Sequence, residues 1–198
     1  MSREHAVVIV PGIGDRTAFF DLTTRHWPRV HKLMPVVHPM HWTDGQDLEP
    51  KLSGLDETIQ RHLDTDRTVS LLAISAGMSA ALLAFRGNRE IHALAGVAGR
   101  VRTSDHCGKH PFIIDSHRSP AFHQAVEIVE YQESVHPRTD GRPILTMRAR
   151  YGDERVPGFA VVVQGANNRT IPTIGHVPTI AGALTVFSRP LIAFLKDQ

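Results

Sequence analysis

Ser75 sits in Leu71-Leu72-Ala73-Ile74-Ser75-Ala76-Gly77-Met78-Ser79, between a run of branched apolar residues and a stretch rich in Ala, Leu and Met. A strand that feeds a helix through a sharp turn can hold a serine hydroxyl out as a nucleophile. That geometry demands small residues two places before and two places after it, because the flanking chains approach closely there. Gly77 meets the demand after the serine and Ala73 meets it before. The free N–H groups at the start of the following helix suit a developing oxyanion.

A serine at neutral pH needs a general base, most often a histidine that a carboxylate orients. Tyr151-Gly152-Asp153-Glu154-Arg155-Val156-Pro157 follows a predicted strand, which makes Asp153 the candidate acid. Ile174-Gly175-His176-Val177-Pro178 follows the last predicted strand, which makes His176 the candidate base. The order Ser, Asp, His along the chain is that of a strand–helix serine hydrolase. Glu154 and Asp105 are the alternative acids. Val10-Pro11-Gly12-Ile13-Gly14-Asp15 follows the first strand. Its backbone can complete an oxyanion hole with the N–H of Ala76, Ile13 being the first choice and Gly14 the second. The same two glycines begin a dinucleotide fingerprint, but position 17 is Thr and no Lys-Ser/Thr pair follows, so nucleotide binding is not expected.

The 13 histidines raise the question of a metal. His38 and His41 flank Pro39, which disfavours a shared helical face, and no His-Glu-x-x-His or paired-Cys spacing occurs. His106, Cys107 and His110 form the tightest group, within a polar stretch, and read as solvated loop residues. No metal and no cofactor are expected. The single cysteine excludes an internal disulfide framework. With 22 basic and 20 acidic residues the net charge is only +2, and Arg148-Ala149-Arg150 is the nearest approach to a basic cluster, so nucleic acid is not an expected partner. The five apolar residues before Pro11 are too few for a signal-peptide core or a membrane span. A cytoplasmic protein without membrane attachment is the expectation.

The elements that must hold these residues alternate. Ala6–Val10, Pro35–Met40, Thr68–Ile74, Ile91–Val97, the stretch beginning at Ile144, and Thr170–Ile174 read as strands. Helical patterns lie at Thr17–Leu33, Leu52–Leu63, Ala76–Phe85 and Ala181–Leu195, the last broken by Pro190. Strands apolar at every residue alternating with helices predict an α/β fold with a doubly wound, mostly parallel sheet. The 198 residues suit a single domain. Residues 103–142 interrupt the alternation with a polar, histidine-rich segment containing one helical piece, Ser119–Tyr131. They are expected to form a lid or insertion beyond the C-terminal edge of the sheet.

The segments around residues 7–14, 71–79, 151–157 and 174–178 together resemble the α/β-hydrolase superfamily. The short length and the Val10-Pro11-Gly12 opening are similar to the compact serine hydrolases of the retinoblastoma-binding protein 9 group. The resemblance implies an esterase, thioesterase or amidase that works through an acyl-enzyme, with Ser75, Asp153 and His176 in the superfamily's three roles. Some compact lipases share the Ala-x-Ser-x-Gly elbow. Some members of the compact group serve in protein binding, so a non-catalytic interaction module on the same fold is the rival reading. Residues 103–142 lack a wide apolar face, which points to a small soluble ester or thioester rather than a lipid interface.

Overall fold

A run that is apolar at every residue has no wet face to offer, so it must be covered on both sides. The computed structural model describes residues 3–104, 112–135 and 141–196. In it β1 (His5–Val10) and β3 (Thr68–Ile74) are neighbours in the interior of a six-stranded sheet. The strand order is β2-β1-β3-β4-β5-β6, with β2 at Leu33–Val37, β4 at Leu94–Val97, β5 at Ile144–Ala149 and β6 at Asn167–Ile171. Every neighbouring pair is parallel. This is the doubly wound sheet that the alternation of elements predicts.

The two faces of β1 and β3 feed two apolar clusters. Ala6, Val8, Val10, Leu71 and Ala73 point to one face, where α3 (Leu48–Leu63), α4 (Gly77–Gly87) and α6 (Pro120–Val135) pack. Val7, Ile9, Leu72 and Ile74 point to the other. There Phe20 of α1 (Thr17–Thr24) and Trp27 of α2 (Trp27–Val30) close one end, and α7 (His176–Leu184) and α8 (Arg189–Lys196) close the rest. Each large aliphatic side chain so buried stabilises the fold by roughly 1.5–3 kcal/mol, enough to fix the register and hence where the strand ends fall.

The interrupted segment has an architectural role. α5 (Phe112–Arg118) and α6 connect β4 to β5, and α6 lies along α4 and α3 through Ala121, Phe122, Ala125, Val126 and Val129. That makes α6 the crossover helix of a β–α–β unit, while α5 reaches the cleft described below. The last strand begins earlier than its apolar residues suggest, at Asn167; four of its five residues are exposed, so no apolar run marks its start. The C-terminal helix breaks before Pro190 rather than at it. Pro190 is the second residue of α8, where its missing N–H costs no helical hydrogen bond.

No single helix among the described residues is long and apolar enough to cross a membrane. α7 and α8 together pass by length and composition but meet at 57°. Leu184, Leu191 and Leu195 on this pair are buried in the core against the sheet.

Candidate active site

The strand-to-helix turn predicted at Ser75 is present in a strained form. Ser75 has φ +53°, in the left-handed region that a non-glycine residue rarely occupies. Its N–H donates to Val97 O at 3.0 Å, and its carbonyl accepts from Met78 N at 3.1 Å, so both flanks are fixed. Gly77 has to be glycine, since a Cβ there would lie 2.2 Å from Val10 O and 2.8 Å from Pro11 O. Ala73 is fully buried between Val10 of β1 and Gly96 of β4, on the face that α4 crosses. A larger side chain at that position would push α4 away from the sheet, and alanine is small enough to avoid this.

β5 and β6 deliver the two partners. Gly175, with φ +86°, turns the chain after β6 so that His176 is the first residue of α7. The Ser75 Oγ and His176 Nε2 atoms are 2.8 Å apart, and His176 Nδ1 lies 2.8 Å from Asp153 Oδ2. The carboxylate can only accept, so the proton sits on Nδ1 and Nε2 accepts from the serine hydroxyl. Asp153 Oδ1 accepts from the N–H groups of Arg155 at 2.8 Å and Val156 at 3.0 Å. Burial pushes the Asp153 carboxyl up, but its bond to His176, the imidazole charge and these two amides outweigh that, so it stays below the usual carboxylate range. Glu154 is occupied elsewhere, since its Oε2 accepts from the His176 backbone N–H at 3.0 Å and orients α7 instead of the imidazole. Asp105, the other alternative acid, lies outside the described residues, as do His106, Cys107 and His110. His38 Nδ1 contacts Thr58 Oγ1 at 3.0 Å.

Ile13, Gly14 and Ala76 all line the cleft in front of Ser75. Among the described residues no carbonyl or side chain accepts the N–H of Ile13 or Ala76. Gly14 holds φ +101°, which bends the loop around the serine. A network absent from the sequence reading holds that loop in place. Asp15 accepts from Met40 N at 2.8 Å and Trp42 N at 3.2 Å, and Trp42 Nε1 donates to Pro11 O at 2.9 Å. Buried Lys51 in turn donates to Met40 O, His41 O and Asp44 Oδ1. These residues are far apart in sequence and share no motif, so no local pattern announces the network.

The cleft has a volume of about 320 Å³, within the range of small-molecule sites. Phe19, Phe20, Phe122 and Ile180 give it apolar walls, and Arg16, Arg100, Arg118, Arg155 and Asp115 give it charge. Arg100 is 3% exposed and donates to Arg155 O at 3.0 Å, with its guanidinium 5.2 Å from the centre of the Phe112 ring. A larger but shallower hollow of about 1020 Å³ beside α3 and α6 contains none of the residues singled out above.

No family model and no curated protein matches the chain. Solved structures do. The fold is similar to that of a metagenome-derived lipolytic enzyme described with LipS and LipT, with TM-score 0.73, 12% identity, and coverage of 99% of this chain and 95% of that one. It is also similar to Est1E from Butyrivibrio proteoclasticus, with TM-score 0.70, 13% identity, and coverage of 99% and 88%. Human thioesterase 2 matches with TM-score 0.58, 16% identity, and coverage of 98% and 97%. Superposition over nearly the whole length of each chain, together with the parallel sheet and its strand order, makes this chain an example of the α/β-hydrolase fold.

Proposed function

We propose that the chain is a serine hydrolase that cleaves a small carboxylic ester or thioester through an acyl-enzyme. The observation that carries this reading is the unbroken relay from Ser75 Oγ through His176 to Asp153, with the serine facing an open cleft. The reading extends to a likeness with the compact serine hydrolases of the retinoblastoma-binding protein 9 group, which the Val10-Pro11-Gly12 opening supports. The whole chain serves as one domain, with α5 as a short cover over the cleft. A cytoplasmic location belongs to the same reading.

The steps follow from the geometry. Ser75 Oγ attacks the substrate carbonyl carbon while its proton passes to His176 Nε2. Asp153 holds the imidazole tautomer and stabilises the imidazolium. The carbonyl oxygen becomes an oxyanion facing the N–H groups of Ala76 and of Ile13, with Gly14 next along the loop. His176 then gives its proton to the leaving alcohol or thiol as the C–O or C–S bond breaks. Water attacks the acyl-enzyme, His176 again takes the proton, and the acid leaves as Ser75 recovers its hydrogen. Water and ester are the only reactants required.

The test is labelling by a fluorophosphonate probe. The wild-type chain is expected to react covalently at Ser75, and Ser75→Ala is expected to abolish the label while leaving the unfolding transition in place. Absence of any Ser75-dependent label in a folded protein would transfer the assignment to the non-catalytic interaction module.

A further inference from the structure

The charge of the cleft goes beyond what ester hydrolysis needs. Four arginines line it, from four parts of the chain: Arg16 on the loop after β1, Arg100 after β4, Arg118 at the end of α5 and Arg155 after β5. Among the described residues Asp115 is the only carboxylate in the lining. The other acids nearby are engaged inside the fold. Asp153 is bound to His176, Glu154 to the His176 amide, and Asp15 to the amides of Met40 and Trp42. Arg16, Arg118 and Arg155 are exposed, and among the described residues none of their guanidinium groups forms an ion pair or a hydrogen bond. The chain as a whole carries a net charge of only +2, so this concentration of cations is local to the mouth in front of Ser75.

Resting on the serine-hydrolase reading, we infer that the substrate is an anionic ester or thioester, one whose acyl or leaving portion carries a carboxylate or phosphate. A cleft walled by Phe19, Phe20, Phe122 and Ile180 and rimmed by the guanidinium groups of Arg16, Arg118 and Arg155, unpaired among the described residues, suits a molecule with a short apolar segment and a negative end. Arginine is the side chain best matched to carboxylate and phosphate, because its planar fork can donate two parallel hydrogen bonds. Converging cations at the mouth of a cleft also raise the local concentration of an anion before it docks. In the purely apolar alternative, replacing a terminal methyl by a carboxylate weakens binding. A gain on that replacement is therefore diagnostic.

The experiment compares kcat/KM for 4-nitrophenyl hexanoate, the 4-nitrophenyl monoester of adipic acid and the matching trimethylammonium-terminated ester. Phenyl acetate and 4-acetoxybenzoate form a second pair that places the anion on the leaving side. At low ionic strength the anionic member of at least one pair is expected to exceed its neutral partner by about tenfold, with the cationic ester slowest. The ratio is expected to shrink several-fold at about 0.5 M salt, where exposed charges are screened. The triple substitution Arg16→Gln, Arg118→Gln and Arg155→Gln is expected to bring the ratio down towards one. Turnover of the neutral esters with both ratios at or below one would overturn the anionic preference while leaving the serine-hydrolase reading intact. A ratio unmoved by salt and by the triple substitution would overturn the arginine assignment. No turnover of any ester together with no Ser75 labelling would overturn both readings at once.

Discussion

Gly12→Ala separates the geometry of the nucleophile from the integrity of the fold. Gly12 is not in the left-handed region, so alanine carries no backbone penalty there, and the whole effect is steric. Its Cβ would lie 2.8 Å from Ser75 Cβ and 3.3 Å from both Ile74 O and Ser75 Oγ. Two carbons rest at roughly 3.5–4.0 Å, so the loop and the serine must part by about 0.7–1.2 Å if that contact is to relax. The Ser75 Oγ to His176 Nε2 distance is 2.8 Å, and a displacement of that size takes it beyond hydrogen-bonding range. Misplacement of about 1 Å costs roughly a hundredfold in rate, whereas the overpacking itself costs about 1–3 kcal/mol of stability. We expect kcat/KM for a 4-nitrophenyl ester to fall about a hundredfold in a protein that still unfolds cooperatively in urea. Gly77→Ala makes the contrast. Its Cβ would lie 2.2 Å from a backbone oxygen that cannot rotate away, so β1 and α4 must separate and stability is lost first. Wild-type kcat/KM in a stable Gly12→Ala protein would refute the reasoning, as would an activity loss that merely tracks the unfolded fraction.

Asp15→Ala leaves the Met40 and Trp42 amides without their acceptor, at a cost of about 1–3 kcal/mol. The same change loosens the loop carrying the Ile13 N–H, so fluorophosphonate labelling of Ser75 is expected to slow by about tenfold or more, and an unchanged labelling rate would argue against a positioning role for Asp15. His5 bears on acid stability. Half-buried, 2.9 Å from Ser70 Oγ and set edge-on to His92, it has its pKa lowered to about 4 by burial and by the neighbouring ring. The unfolded chain binds this proton near pH 6.5 and the folded chain only near pH 4, so stability falls as pH drops through that window and levels off below it. The full displacement corresponds to ~3 kcal/mol, which solvent access to the ring reduces to about 1–2 kcal/mol. Urea unfolding at the two ends of the window should show this loss, and His5→Gln should remove it; an equal loss in the variant would place the acid sensitivity elsewhere.

What the sequence reveals and what it conceals follow from the range of the interactions. The turn at Ser75 is legible because a buried strand, a small-residue constraint and a helix start all fall within nine consecutive residues. Asp153 and His176 are legible because each follows a strand end, and parallel strands bring their C-terminal ends to one edge. β6 is misplaced in the sequence because an exposed edge strand built on Asn167, Asn168 and Arg169 lacks the apolar signature that marks β1 and β3. The Asp15–Trp42–Lys51 support and the four arginines of the cleft are invisible for another reason. Each depends on loops from distant parts of the chain meeting in space, and no local pattern encodes that meeting.

The two edges of the sheet have a consequence for how the protein behaves in a crowded solution. An unpaired strand offers a row of donors and acceptors to any other extended chain, and such rows nucleate aggregates. Here β2 carries Pro35, which removes one donor from the row. At the opposite side, β6 presents a polar face, and the Asn168 side chain is tied down by bonds with Thr146, Val163 and Ala166. Neither border is a good template for cross-chain strand addition. The sheet ends at six strands with terminators that discourage fibril growth, and the apolar strands Val7–Val10 and Val69–Ile74, hazardous if exposed, stay in the interior between them.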